Sequence, residues 1–262
     1  MSRLSKPALA AAVAAALLFS AGHVSAQAPA SGGCPEDVRH NATRAAAEFV
    51  SGSDTIRGYI YRPAISNGAG IVLLHGAQGL PVDAPRFDAH AIQLASRGYT
   101  VLVPSYFDAR PWPRQGVTGR DMTAWTKVGA DAVRHVGTQA GVNPAKVALW
   151  GYSYGGYLAT DGSVREDAPA ALAIGVSTGQ AIWGQNDRGG RAIPVLMIHG
   201  RADTAVTPSS MRDLAANLRR RGATVQTETI DAQSHVYDGP VWCEVFRYTR
   251  QFLDTHLLTP AA

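Results

Sequence analysis

Runs rich in apolar and β-branched residues alternate with amphipathic segments from residue 70 onward. These runs predict strands, which cover residues 70–74, 99–103, 146–150, 170–176, 193–198 and 225–230. The continuous apolar runs, such as 70–74, are typical of strands buried on both faces of a sheet. Between them, apolar residues recur every three or four positions and predict helices; these cover residues 87–97, 121–141, 154–160, 209–221 and 241–258. The alternation predicts an α/β fold whose central sheet is mostly parallel and has helices on both faces.

An antiparallel hairpin is predicted ahead of this alternating region. Residues 46–50 and 56–61 are β-prone, and they flank a turn of sequence Ser-Gly-Ser-Asp. Two such runs around a turn are typical of a hairpin. We expect it to add antiparallel strands at one edge of the sheet.

The first 26 residues have the pattern of a secretory signal peptide. Arg3 and Lys6 supply positive charge, residues 8–19 are apolar, and residues 24–26 offer a small-residue cleavage site. The apolar run is shorter than the roughly 20 residues that a membrane-spanning helix needs. An uncleaved membrane anchor is the alternative. We expect an exported protein, periplasmic or secreted, without stable membrane insertion after cleavage.

Composition and charge exclude several classes of protein. Hydrophobic residues make up 46% of the chain and charged residues 17%, which is typical of a globular protein and not of a disordered, collagen-like or coiled-coil chain. The formal charge of +4 falls to +2 without Arg3 and Lys6, and the only basic run is 219–221. Because nucleic-acid binding needs a clustered basic face, we expect no nucleic-acid partner.

The chain contains two cysteines, Cys34 and Cys243. In an oxidising compartment two cysteines can pair, and this pair would join the start of the mature chain to the last predicted helix. Two unrelated buried thiols remain the alternative. Neither cysteine lies in a spacing typical of a metal site, and we expect no metal and no cofactor. The sequence Asn41-Ala42-Thr43 also fits a glycosylation sequon.

The strongest motif is Gly151-Tyr152-Ser153-Tyr154-Gly155, which lies between a predicted strand and a predicted helix. In this context Gly-x-Ser-x-Gly forms a tight turn that exposes the serine hydroxyl at the sheet edge. The start of the helix adds backbone N–H groups and a positive dipole end. Ser153 is therefore the candidate nucleophile, and a glycine-rich turn with a helix-capping serine is the alternative.

A serine nucleophile needs a base, and the base needs an orienting carboxylate. Asp203 follows the strand at 193–198 and His235 follows the strand at 225–230, in the order Ser–Asp–His that this architecture uses. Asp231 and Asp238 are alternatives for the carboxylate, but neither lies in the loop after the preceding strand. The histidine His199 precedes Asp203 and so has the wrong order.

Acyl transfer also needs donors that stabilise the developing oxyanion. One is expected from the residue after the nucleophile, Tyr154, and the other from the small-residue loop 75–79, where Ala77 is the candidate. The alternative for this loop is a plain glycine-rich turn.

Substrate-binding residues are expected in the long loops 105–119 and 179–191, because both follow the carboxyl ends of strands. Tyr106, Trp112 and Trp125 are candidates to line an apolar or aromatic pocket. For Trp125 a place in the core is the alternative.

Together these motifs resemble the α/β-hydrolase superfamily, and within it the dienelactone hydrolase family. The resemblance covers about residues 45–257. It depends on the segments 57–63, 75–76 and 97–104, on the Ser153 turn, on the Gly200-x-x-Asp203 motif and on His235.

The resemblance also has departures that bear on chemistry. The namesake enzymes use a cysteine nucleophile and carry a glutamate where this chain has Gly76. They bind a substrate carboxylate with two arginines; Arg110 matches one of these with a one-residue shift, and Gly239 stands in place of the other. A guanidinium at Arg110 could hold a carboxylate, and a surface arginine is the alternative.

The sequence thus predicts a signal peptide at 1–26, an N-terminal extension at 27–44 and one α/β-hydrolase domain at 45–262. The expected function is hydrolysis of carboxylic esters or lactones of small molecules through Ser153, Asp203 and His235. A small peptidase or amidase with the same triad, and a non-catalytic binding protein on this scaffold, are the alternatives. The sequence predicts no oligomeric state.

Overall fold

The computed structural model describes residues 33–113, 115–180 and 190–258. The predicted signal peptide therefore lies outside the described residues. The strands are β1 (Ala42–Ser51), β2 (Asp54–Pro63), β3 (Gly70–Leu74), β4 (Thr100–Pro104), β5 (Val147–Tyr152), β6 (Leu172–Val176), β7 (Pro194–Gly200) and β8 (Thr224–Ile230). The helices are α1 (Leu80–Ser96), α2 (Gly119–Gly137), α3 (Tyr154–Ser163), α4 (Pro208–Arg220) and α5 (Gly239–Leu253), and a π-helical turn (Asp254–Leu258) follows α5.

The described strands form a single sheet in the order β1-β2-β4-β3-β5-β6-β7-β8. The β1–β2 and β2–β4 pairs are antiparallel and every other pair is parallel. This confirms the predicted parallel sheet with an antiparallel N-terminal hairpin. Because β3 to β8 all run in one direction, the loops after them meet at one sheet edge, where α/β sheets place their ligands.

Apolar layers cover both faces of the sheet. On one face, buried residues of α2, α3 and α4 such as Trp125, Leu158 and Leu214 share a cluster with strand residues. On the other, Phe87 of α1 and Phe246 of α5 belong to a second cluster. Strands β3 to β7 lie between these layers and are buried almost throughout, which is why their sequences are mainly apolar runs rather than alternating ones. The edge strands β1 and β8 are largely exposed.

Helix α1 begins seven residues before the predicted start at Phe87. The added turns contain Pro81, which lies in the first turn, and Pro85. A proline in the first turn costs little because the N–H that it lacks would have no helical partner there. Pro85 lies further in and removes one helical hydrogen bond, so its helical position is decided by tertiary packing.

The N-terminal segment 33–41 is fastened to helices α1 and α5. Cys34 and Cys243 form a disulfide, with their Cα atoms 5.4 Å apart. The main chain of Val38 makes two hydrogen bonds with the Gln93 side chain of α1, at 2.9 Å and 3.0 Å. In the described part of the chain, no helix is both long and apolar enough to cross a membrane.

Candidate active site

Ser153 lies on a tight turn between β5 and α3, with φ 55° and ψ −118°. A positive φ is uncommon for a residue with a side chain and marks local strain. The flanking glycines permit the turn, because a Cβ at Gly151 would lie 2.0 Å from the Gly155 carbonyl oxygen and a Cβ at Gly155 would lie 2.5 Å from that of His75. The structure thus contains the tight turn that the Gly-x-Ser-x-Gly motif predicts.

Ser153, His235 and Asp203 form a chain of hydrogen-bond contacts. The Ser153 Oγ lies 2.9 Å from His235 Nε2, and His235 Nδ1 lies 2.7 Å from Asp203 Oδ2. The Asp203 side chain is fully buried, whereas 19% of the His235 side chain is exposed. The other carboxylate oxygen of Asp203 accepts hydrogen bonds from the N–H groups of Ala205 and Val206, at 2.9 Å and 3.0 Å. These contacts fix the orientation of the carboxylate towards His235.

The alternatives to Asp203 and His235 have other partners. His199 is buried, its Nε2 lies 2.8 Å from the Val206 carbonyl oxygen, and burial lowers its pKa. Asp231 forms an ion pair with Arg201 at 2.9 Å. Asp238 caps helix α5 by accepting a hydrogen bond from the N–H of Val241.

The loop after β3 passes directly beside Ser153. A Cβ built on Gly76 would lie 3.4 Å from the Ser153 Cβ. The Gly76 N–H donates a 2.7 Å hydrogen bond to Asp83, whose side chain is almost fully buried and whose pKa is raised by burial. Half-buried Ala77 follows Gly76, and Tyr154 is the first residue of α3. Both residues proposed from the sequence as oxyanion donors are therefore neighbours of the turn that carries Ser153.

The structure corrects the expectation that Tyr106 contacts substrate. Tyr106 is completely buried, and its hydroxyl donates a 2.9 Å hydrogen bond to the His75 carbonyl oxygen. Its ring stacks on that of His75, with centroids 4.0 Å apart. Burial lowers the pKa of His75 to about 4, so this ring is neutral at physiological pH. Tyr106 thus supports the loop beside Ser153 from inside the core.

Of the two candidate tryptophans, Trp125 lies in the core and Trp112 lies at the surface. Trp125 is completely buried, whereas Trp112 is 38% exposed and stacks on Trp125 with ring centroids 5.7 Å apart. Trp112 also contacts the ring of Tyr154 edge-on, at 5.0 Å. Of the three aromatic candidates, only Trp112 is both exposed and next to the turn that carries Ser153.

Arg110 is engaged at the start of α2. Its Nε lies 2.5 Å from Asp121 Oδ1, and half of the Arg110 side chain is exposed. Asp121 also forms a capping box with Thr118. Hydrogen bonds from Thr118, and then from Arg110, lower the pKa of Asp121 to about 2. These contacts give Arg110 a structural partner that the sequence alone did not indicate.

Sequence reasoning missed two tyrosines that hold the His235 loop. The Tyr152 hydroxyl donates a hydrogen bond to the His235 carbonyl oxygen, and the Tyr237 hydroxyl accepts one from the N–H of Gly200 at 3.0 Å. Tyr237 also contacts the hydroxyl of Ser177, a residue with φ 48°. The only signal for these tyrosines in the sequence was their position, since Tyr152 precedes Ser153 and Tyr237 follows His235 by two residues.

A cavity of about 380 Å³ opens beside Ser153. Its walls come from the start of α3, the loop after β6 and the loop between β7 and α4. A larger cavity of about 800 Å³ lies beside the disulfide and contains none of the three hydrogen-bonded residues. The described residues include no group of three or more His, Cys, Asp or Glu side chains that could hold a metal ion. The lining residues of the smaller cavity are Ser153, Tyr154, Tyr157, Thr178, Gly179, Gln180, Ala205, Val206, Thr207 and Ser210.

The parallel sheet, the strained serine turn and the loops gathered at one sheet edge define an α/β-hydrolase fold. A model of the dienelactone hydrolase family matches residues 56–238, and the chain belongs to that family. This confirms the resemblance seen in the sequence. The chain is therefore a member of a hydrolase family.

Solved structures with the same fold include esterases and peptidases. The dienelactone hydrolase-like promiscuous phosphotriesterase P91 from metagenomic libraries is 20% identical, with a TM-score of 0.64 over 79% of this chain and 98% of that chain. Esterase Est2 of Thermogutta terrifontis, in a butyrate-bound structure, is 17% identical, with a TM-score of 0.63 over 83% of this chain and 96% of that chain.

The acylaminoacyl peptidase of Pyrococcus horikoshii is 13% identical, with a TM-score of 0.66 over 85% of this chain. This chain spans only 43% of that longer peptidase. No curated protein matches the chain. At these identities the structural likeness establishes the fold.

Proposed function

We propose that this protein is a serine hydrolase of carboxylic esters or lactones, in which Ser153 is the nucleophile, His235 the general base and Asp203 the residue that orients the base. The observation that carries the proposal is the unbroken hydrogen-bond chain from Ser153 through His235 to Asp203. A serine hydroxyl becomes an effective nucleophile when a neighbouring base removes its proton, and this geometry supplies that base.

The geometry supports a two-step reaction. Ser153 Oγ attacks the acyl carbon while His235 Nε2 accepts its proton, and buried Asp203 stabilises the resulting imidazolium. The backbone N–H groups of Ala77 and Tyr154 stabilise the oxyanion. His235 then gives the proton to the leaving alcohol, and a water molecule activated by His235 hydrolyses the acyl-enzyme. No step requires a cofactor.

Export to the periplasm or beyond is part of the proposal. It is supported by the signal-peptide pattern of residues 1–26 and by the Cys34–Cys243 disulfide, since disulfides persist mainly in oxidising compartments.

The direct test combines labelling with turnover. The purified protein is treated with a fluorophosphonate probe and assayed with p-nitrophenyl butyrate and with the matching butyryl p-nitroanilide. We expect labelling and ester turnover, and a loss of at least about a thousandfold in kcat/KM for Ser153→Ala. Ser53→Ala, which changes an exposed serine of the hairpin turn, is the matched control.

The same assay separates the alternatives. Faster turnover of the anilide would favour a peptidase or amidase over an esterase. A protein that neither labels nor turns over either substrate would be a binding protein on a hydrolase scaffold, and turnover that survives Ser153→Ala would remove Ser153 from the mechanism.

A further inference from the structure

The cavity beside Ser153 suits one half of an ester substrate. Ser153 is in its wall, but His235, Gly76 and Ala77 are not among its lining residues. The leaving alcohol must lie next to His235 Nε2, because it receives its proton from there. The acyl chain is the other substituent of the attacked carbon, so it is the part that this cavity can take.

The described walls of the cavity carry no charged side chain. Tyr154 and Tyr157 come from α3, residues 178–180 from the loop after β6, and residues 205–207 with Ser210 from the loop and first turn of α4. The polar groups among them are hydroxyls and the amide of Gln180. Its volume lies near the small end of the roughly 300–1,000 Å³ of pockets that hold small molecules.

The two cations that act on Tyr157 of the cavity wall are neutralised by a buried carboxylate. Asp161, Arg165 and Arg221 all act electrostatically on Tyr157 of the cavity wall. Arg221 lies 2.6 Å from Asp161, with only 1% of its side chain exposed, and Arg165 lies 3.4 Å from the other oxygen of Asp161. Neither guanidinium is therefore available as an unpaired partner for a substrate anion.

A negative charge lies behind another wall of the cavity. The Asp203 carboxylate accepts the N–H hydrogen bonds of Ala205 and Val206, which both line the cavity. An acyl chain that ends in a carboxylate would give up hydration on entry, gain no cationic partner among these residues and approach a second anion. Burying an unpaired charge in this way is strongly unfavourable.

We propose that this cavity is an acyl pocket selective for neutral acyl groups, so that the enzyme discriminates against esters whose acyl chain ends in a carboxylate. The inference rests on the function proposed above and adds the chemical class of the acyl group. Gln180 is the position at which this selectivity can be altered, because it lines the pocket, glutamate is isosteric with glutamine, and lysine places a positive charge at the same position.

The test compares p-nitrophenyl hexanoate with mono-p-nitrophenyl adipate, which share a leaving group and an acyl chain length. Near neutral pH we expect kcat/KM to be at least about 30-fold higher for the hexanoate. Gln180→Lys should narrow this ratio by about fivefold or more, and Gln180→Glu should widen it. Ser209→Lys adds the same positive charge at a neighbouring exposed residue outside the pocket, and it should leave the ratio close to that of the wild type.

The outcomes distinguish this inference from the proposed function. Equal kcat/KM for the two esters, a preference for the adipate, or the same ratio in Gln180→Lys and Gln180→Glu would overturn the neutral acyl pocket while leaving a Ser153-dependent esterase in place. If neither ester is hydrolysed and Ser153 is not labelled by a fluorophosphonate, the proposed function itself fails, and the acyl pocket fails with it.

Discussion

The hydroxyl of Tyr152 donates a hydrogen bond of 2.6 Å to the main-chain carbonyl oxygen of His235. The two rings also stack, with centroids 5.4 Å apart. Because Tyr152 directly precedes Ser153, the turn that carries Ser153 also holds the loop that carries His235. The Tyr152 hydrogen bond therefore helps to fix the distance between Ser153 Oγ and His235 Nε2, because it links the two segments that carry these atoms.

Tyr152→Phe should lower kcat by about tenfold and change KM little, since it removes one hydrogen bond that positions the base and none that contacts substrate. Steady-state kinetics on a neutral ester measure both constants. Tyr99→Phe is the matched control, because the buried Tyr99 gives its hydroxyl hydrogen bond to Asp254. If both variants lose kcat in proportion to their loss of melting temperature, Tyr152 has only a structural role.

Arg110→Ala should affect neutral and anionic esters equally. The ion pair with Asp121 connects Arg110 to the start of α2, and the Arg110 side chain is half exposed. We therefore expect a loss of about 0.5–1 kcal/mol in the free energy of unfolding, as is usual when one partner of an ion pair is exposed to solvent. Chemical denaturation and kcat/KM for the hexanoate–adipate pair measure the two effects. A selective loss of at least about tenfold for the adipate would instead make Arg110 a carboxylate-binding residue.

Replacing both cysteines by serine should lower the free energy of unfolding by about 2–5 kcal/mol. The disulfide closes a loop across a sequence separation of 209 residues, and the loop-entropy model assigns the largest effects to long loops. Denaturant unfolding measures the loss, and ester turnover at low temperature should persist because neither cysteine contacts Ser153. Two alkylated thiols in denatured, unreduced protein from an oxidising compartment would contradict the disulfide.

His90 should make the fold sensitive to acid. It is buried against Phe246, with ring centroids 4.1 Å apart, and burial lowers its pKa to about 4. A histidine whose folded pKa is depressed binds its proton more readily when unfolded. Stability should therefore be intact above the unfolded pKa of about 6.5 and fall as pH decreases towards about 4, by up to about 3 kcal/mol.

The variant His90→Phe keeps an aromatic ring on Phe246 and removes the titrating group, so its stability should fall less between these pH values. Thermal melts over this range measure the difference, with the exposed His40→Phe as control. An unchanged pH dependence in His90→Phe would assign the acid sensitivity to other groups, among them buried His75.

Local pattern was sufficient to predict the sheet and the three hydrogen-bonded residues. Most strands are marked by apolar residues that are adjacent in sequence. Ser153, Asp203 and His235 follow the ends of β5, β7 and β8 by one, three and five residues. Since the carboxyl ends of parallel strands share one edge, their meeting follows once the strands are parallel. The start of α1 was not predictable in this way, because Pro81 and Pro85 are local signals against a helix that packing overrides.

The sequence by itself therefore determined the succession of strands and helices along the chain, the turn that carries Ser153 and the residues placed at the sheet edge. The tertiary structure decided which aromatic side chains are buried, that Arg110 pairs with Asp121, that Tyr152 and Tyr237 hold the His235 loop, and which walls surround the cavity beside Ser153. These features depend on contacts between segments that are distant in the chain. Secondary-structure propensity and hydrophobic periodicity depend on a few neighbouring residues. They therefore do not predict contacts between distant segments, which form only when the sheet brings those segments together.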